Sequence, residues 1–213
     1  MSYLFEILPS LLSGATMTLQ VFALVLLFSI PLGILVAFCL QVHWKLLHYM
    51  IDVYIWVMRG TPLLLQLIFI YYVLPSIGIR LDRVPAAIIA FTLNYAAYFA
   101  EIFRGGIDAI PTGQYEAAKV LKLSSWQTIR YIILPQVVKI VLPSVFNEVM
   151  SLIKDTSLVY ALGISDLILA SRTAANRDAS LAPMFLAGAI YLILIGIVTI
   201  IAKRVEKNFS YYK

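Results

Sequence analysis

Polar side chains recur at helical spacing inside runs that are otherwise apolar. Asn94, Tyr98 and Glu101 stand at i, i+4 and i+7, so a helix presents them on one face. Asn147, Ser151 and Lys154 repeat that spacing, with Glu148 beside Asn147 and Gln66 in an earlier run. These residue types offer hydrogen bonds and a carboxylate, the means to pass a zwitterion across an apolar barrier. They have a second use as glue between helices, each bond worth about 1 kcal/mol in a membrane. Both readings stand for Asn147, Glu148 and Gln66, whereas Glu101 with Arg104 reads as glue or as an anchor. Lys154 reads as a gate residue or as a side chain snorkelling to the membrane surface. Glu148 is the only acidic residue well inside its run, a candidate partner for an ammonium group. Covalent catalysis is not supported. A serine nucleophile needs a base, the two histidines, His43 and His48, share one polar loop, and no Gly-x-Ser-x-Gly elbow occurs. Nor does a Gly-x-x-x-x-Gly-Lys-[Ser/Thr] loop, so no phosphate cradle for ATP is expected.

A second constellation is polar throughout. Glu116, Lys119 and Lys122 recur at i, i+3 and i+6, with Ala117, Ala118 and Leu121 on the other arc. Ser124-x-x-Gln127 has the form of a capping box. The stretch therefore reads as helix, turn, helix, ending at Pro135. The small side chains of Ala117 and Ala118 leave room for another surface to approach. By periodicity alone, the plainer reading is favoured, an ordinary amphipathic connection lying on a membrane.

The elements that must position these groups follow from composition. The chain is 62% hydrophobic and 13% charged, with a mean hydropathy of +0.93. Soluble domains are about half apolar and a quarter charged, and such an excess in water aggregates. The 213 residues suit a single all-α transmembrane domain, 1–213. A bilayer takes about 20 apolar residues per helical span. Five spans are expected: about 16–40, 63–79, 85–103, 131–153 and 181–202. Pro9, Ser10, Ser13 and Gly14 are expected to separate a short surface helix from the first span, and residues 45–59 to form an interfacial helix. Gly60-Thr61-Pro62 breaks the chain before the second span. Met1 to Gly14 carries no Lys or Arg, so the first span is expected to be retained rather than cleaved.

The net charge of +5 reads as topology rather than nucleic-acid binding. With the N-terminus outside, eleven basic residues (Lys45, Arg59, Arg104, Lys119, Lys122, Arg130, Lys139, Lys203, Arg204, Lys207, Lys213) lie inside. Five (Arg80, Arg83, Lys154, Arg172, Arg177) lie outside. That asymmetry favours N-terminus out and C-terminus in. Cys39, the single cysteine, has no partner for an internal disulfide.

Five separated blocks carry a family resemblance. They are Arg59-Gly60-Thr61-Pro62-Leu63-Leu64-Leu65-Gln66; Asn94-Tyr95-Ala96-Ala97-Tyr98 with Glu101-Ile102-Phe103-Arg104-Gly105-Gly106-Ile107; Gly113-Gln114-Tyr115-Glu116-Ala117-Ala118 through Ile132-Ile133-Leu134-Pro135-Gln136; Asn147-Glu148; and Lys154-Asp155-Thr156-Ser157-Leu158. In that order they resemble the permease subunits of type I ATP-binding-cassette importers for polar amino acids, over roughly Gly14 to the C-terminus. The third block resembles the EAA loop of that family. The resemblance implies the five-span type I permease fold with a cytoplasmic coupling loop at about 105–131. It implies two permease subunits, identical or not, a dimer of separate ATPase subunits that uses the ATP, and an extracytoplasmic solute-binding protein. It places the chain in a bacterial plasma membrane among lipid, with no cofactor of its own. It assigns ATPase coupling to Glu116, Ala117, Ala118, Lys119, Leu121, Lys122 and Leu123, and transport to alternating access. The substrate path is expected near Gln66, Asn94, Tyr98, Asn147, Glu148 and Ser151. Lys122 departs from the family, which has glycine there to make a left-handed turn; a side chain costs roughly 1–2 kcal/mol in that conformation. An ion-coupled secondary transporter is the alternative, but no inverted repeat is visible.

Overall fold

The computed structural model describes residues 2–42 and 44–209. Met1, His43 and residues 210–213, including Lys213 of the charge count, lie outside the described residues. Among the described residues every regular element is helical. In chain order they are α1 (Ser2–Leu40), α2 (Lys45–Gly60), α3 (Leu63–Ile68), α4 (Arg83–Asp108), α5 (Thr112–Val120), α6 (Ser125–Gln127), α7 (Leu134–Asp155), α8 (Leu167–Asp178) and α9 (Ala182–Asn208). A π turn at Phe69–Val73 and a 3-10 turn at Leu74–Ile77 prolong α3. A π turn at Thr128–Ile133 joins α6 to α7, and a 3-10 turn at Thr156–Leu162 follows α7.

Four stretches are long and apolar enough to cross a bilayer: Phe5–Leu40, Arg83–Asp108, Ser125–Leu162 and Ala182–Asn208. A fifth forms if α2 and the α3 stretch, which meet at 106°, count as one broken span. The all-helical membrane fold expected from hydropathy is present with four to five spans, and the second is this broken pair rather than residues 63–79 alone with 45–59 as a separate interfacial helix. Its hub is α4, which buries Ala86, Ala87, Ala90, Phe91, Asn94, Tyr95, Ala96, Ala97, Phe99 and Ala100. Lipid supplies no hydrophobic drive between helices, so close approach over small residues does the holding. A Cβ on Gly33 of α1 would come within 2.6 Å of Phe99 Cβ, and one on Gly106 of α4 would collide with Val141 of α7. The main core joins Val21 and Val25 of α1, Leu67 of α3, Phe91 and Phe99 of α4, Leu152 of α7 and Val159. The outer face of α9 leaves Leu192, Ile193, Ile197, Ile200 and Ile201 exposed, as a helix against lipid would.

Two local expectations are overturned. No surface helix separates from the first span, because α1 runs unbroken through Pro9 and Pro31. Each proline removes one helical donor, a loss a packed membrane helix tolerates. Of the four residues read as a break, Gly14 is a buried contact instead, while Pro9, Ser10 and Ser13 are exposed. A Cβ on Gly14 would come within 2.7 Å of the Asp166 carbonyl oxygen. The Leu167 amide donates to Thr18 Oγ1 at 3.2 Å. Nor does the insert's second helix end at Pro135. The π turn hands it on to α7, and Pro135 sits in the first turn of that helix, where its missing N–H is harmless. At the far end of the bundle, Tyr3 donates to Asp178 Oδ2 at 2.8 Å. The Arg177 guanidinium beside Asp178, with that hydroxyl, holds its carboxyl below the usual range.

Candidate functional site

α4 and α7 cross beside the break in the second span. They enclose a pocket of about 250 Å³ lined by Thr61, Leu63, Asn94, Tyr95, Tyr98, Glu148, Ser151 and Asp155. Two carboxylates face it and no lysine or arginine does. The Tyr95 hydroxyl, on a nearly buried ring, donates to Asp155 Oδ2 at 2.7 Å. Glu148, Ser151 and Asp155 stand at i, i+3 and i+7 on α7, which turns all three to one side. The pocket can therefore take a small polar solute, offering carboxylates to a cationic group and hydroxyls to the rest.

Four of the six residues expected on the path line this pocket: Asn94, Tyr98, Glu148 and Ser151. Asn147 does not; it is exposed on another side of α7. The expected series Asn147, Ser151, Lys154 is thus replaced by Glu148, Ser151, Asp155, a face turned by less than one residue that keeps Ser151, and Lys154 is exposed. Gln66 is not a lining residue either. It stands behind Asn94, whose amide donates to Gln66 Oε1 at 3.0 Å and to the Met58 carbonyl at 2.8 Å. Gln66 Nε2 donates to the same carbonyl at 2.9 Å and to Thr61 Oγ1 at 2.7 Å. Met58 attracts these donors for a local reason. The helical partner of its carbonyl would be the N–H of residue 62, and Pro62 has none. Both amides stitch the break, and Asn94 also faces the pocket. Tyr95, Asp155 and Thr61 went unselected as site residues. The signal for Asp155 was its place two turns after Glu148.

Arg59, in the last turn of α2, lies over the Tyr98 ring at 5.2 Å and pairs with Glu101 Oε2 at 3.4 Å. Arg104 holds both oxygens of Glu101, at 3.0 and 2.8 Å, and reaches Asp108 Oδ2 at 3.0 Å. Arg104 thus pairs within α4, and Glu101 also joins α4 to α2 through Arg59, which is the glue reading of the two.

The insert is an ordered helical hairpin. α5 closes on a Schellman motif: the Lys122 amide donates to the Lys119 carbonyl and the Leu123 amide to that of Ala118, each at 3.0 Å. Lys122 takes the left-handed conformation, φ 53°, as expected of the glycine position it occupies. Ser124 and Gln127 exchange both bonds of a capping box. Ile110, Ile133, Val137 and Val141 form a core that ties the insert's base to α7. Glu116, Ala117, Lys119, Leu121 and Lys122 are exposed, and Leu123 is half-buried. Two details differ from expectation. Ala118 is only 2% exposed, so it packs within the insert rather than opening to another surface. Lys122 belongs to the turn and does not continue the face of Glu116 and Lys119. Val120 and Trp126, 82% and 70% exposed, extend the open surface and were not selected; apolar residues in a polar insert were the available signal.

An all-helical bundle with a broken second span, a polar interior pocket and an ordered helical insert defines a membrane permease fold. Residues 29–211 match the family described as binding-protein-dependent transport system inner membrane component, and the chain belongs to that family. It is 36% identical over 205 residues to the arginine transport system permease protein ArtQ of Bacillus subtilis (strain 168), covering 95% of this chain and 94% of that one. It is 35% identical over 211 residues to a putative glutamine transport system permease protein GlnP of Rickettsia felis, covering 97% of each. Among solved structures, a crystal structure of an amino acid ABC transporter with histidines superposes with a TM-score of 0.90 at 30% identity, covering 97% of both chains.

Proposed function

We propose that this chain is the permease subunit of an ATP-driven importer of polar amino acids. Two such subunits, alike or paired with a second permease, form the translocation path in a bacterial plasma membrane. The insert faces the cytoplasm and docks a dimer of separate ATPases, which consume the ATP; the chain catalyses no reaction itself. A solute-binding protein delivers substrate at the opposite end, where the N-terminus lies. ATP binding closes the ATPase dimer, moves the insert, and shifts the permease between states open to either side. The observation that carries the reading is the insert. Its turn is closed by a Schellman motif and a capping box, yet Val120, Leu121 and Trp126 stand exposed beside Glu116, Ala117 and Lys119, a surface that suits a protein partner. The pocket supports the substrate class. Its carboxylates, Glu148 and Asp155, suit the ammonium group common to all free amino acids and favour those with a second cationic group.

Reconstitution with the candidate ATPase and binding protein tests this. Uptake of arginine or glutamine should require ATP and no ion gradient; uptake driven by a gradient without the ATPase would instead favour a secondary transporter. Glu148→Gln should lower uptake about 10- to 150-fold in an assembled complex, the range for losing a hydrogen bond to a charged group. Ala117→Trp should release the ATPase on purification, and normal transport by that variant would remove the insert as its dock.

A further inference from the structure

The break in the second span and the pocket share residues. Thr61 and Asn94 line the pocket, and both belong to the hydrogen bonds that hold the break. Tyr98 lines the pocket and carries the Arg59 guanidinium on its ring. Arg59 is the residue immediately before Gly60-Thr61-Pro62, so its position reports the angle of the bend. On α4 it meets two partners one turn apart, Tyr98 and Glu101.

At Glu101 the contacts converge on one atom. Arg59 Nη1 approaches Oε2 at 3.4 Å, and Arg104 Nη2 approaches the same oxygen at 2.8 Å. Arg104 also holds Asp108, the last residue of α4, and α5 begins four residues later at Thr112. A continuous run of contacts thus links the pocket wall to the start of the insert: Tyr98, Arg59, Glu101, Arg104, Asp108. Arg59 and Glu101 are 41% and 24% exposed, sheltered enough to be only partly screened by salt and loose enough to exchange partners. Gly60 offers no obstacle, since a Cβ there would meet nothing within 4 Å.

We propose that Arg59 is a positioning residue that couples the pocket to the insert. A solute against Tyr98 shifts the guanidinium resting on that ring. Arg59 then tightens or releases its hold on Glu101 Oε2, and Arg104 with Asp108 follows. This inference rests on the permease reading above.

The test uses the full complex of permease, ATPase and binding protein in lipid nanodiscs, with arginine and glutamine as probes. Four readouts matter: assembly, basal ATP hydrolysis, stimulated ATP hydrolysis and their ratio. If the wild-type complex does not assemble or is not stimulated, the permease reading fails before any variant is made. With that control in hand, Arg59→Gln should assemble and keep its basal rate while the stimulation ratio falls by about fivefold or more, the lower end of ordinary coupling between sites. Glu101→Gln should lower the ratio likewise, and the double variant should be no worse than the stronger single one, because neighbours acting on one contact are not additive. Arg59→Lys keeps the charge but loses the planar face that stacks on tyrosine, and should restore part of the ratio. A wild-type ratio in Arg59→Gln overturns the proposal, as does simple additivity of the two substitutions. Failure of both Arg59→Gln and Arg59→Lys to assemble would also overturn it, marking Arg59 as structural only.

Discussion

The second span at Pro62 and the fourth at Pro135 answer a proline differently, and the fourth also carries Pro143 inside α7 without a break. At Pro62 the chain turns through 106°. Thr61 is extended there, φ −119° and ψ 149°, as the residue before proline prefers. The freed Met58 carbonyl is met by amides from α4 and α3. At Pro135 the helix runs on. The ladder widens into a π turn, with the Leu134 amide donating to Ile129 five residues back, and Gln136 Nε2 donates to the Ile132 carbonyl at 2.7 Å. The packing differs to match. α7 lies so close to α4 that Val141 fills the place a side chain at Gly106 would take. The bent span is held by hydrogen bonds that converge on one carbonyl, the straight one by close contact. Hydrogen bonds can be exchanged during a transport cycle, whereas a close-packed crossing holds one geometry.

The largest way to break this comparison is at the straight span. Gly106→Leu forces a side chain into Val141 and Val137, and should destabilise by about 3 kcal/mol, the upper range of overpacking. Loss of folded protein, or a lower melting temperature in detergent, would register it; an unchanged melt would show that α4 and α7 are not held by that contact. Asn94→Leu attacks the bent span. It leaves Gln66 Oε1 unpaired and Met58 with one donor in place of two, at about 1–3 kcal/mol for orphaned buried groups. The same melt should fall less than for Gly106→Leu, and a Gln66→Leu, Asn94→Leu double variant should fall by less than the sum of the two singles. The smallest effect lies at the entrance to the straight span. Lys122→Gly relieves a left-handed lysine and should raise stability by about 1 kcal/mol, and on the proposed function it should leave the docking of an ATPase intact. A loss of ATPase binding in that variant would show that the lysine side chain itself contacts the partner.

Much of this was legible because it is local or follows from length. Four spans follow from apolar runs long enough to cross a bilayer, and the broken second span adds a fifth only with α2 counted in. The capping box follows from Ser124 and Gln127, whereas the left-handed turn at Lys122 came from the family resemblance, since periodicity alone put that lysine on the helix face of Glu116 and Lys119. Four pocket residues were legible because helical spacing groups them. Ala118 was misplaced because an alanine suits a close external contact and a close internal one equally well, and periodicity does not say which. Gly14 was misread because a glycine that can end a helix in water also lets two helices touch in a membrane, and Pro9 because a proline need not break a membrane helix.

What the sequence by itself determined is the set of elements: how many helices cross, where the insert begins and how it is capped. Those depend on neighbours within a turn or two of the chain. The tertiary structure alone decided which way each helix is turned. A turn of α7 by less than one residue, at the helix that packs Val137 and Val141 on Gly106, takes Asn147 out of the pocket and brings Asp155 in while keeping Ser151. Asp155 then finds the Tyr95 hydroxyl, 60 residues away in sequence. Pro62 bends its span while Pro135 does not, because Asn94 from another helix is at hand to meet the carbonyl that the bend exposes.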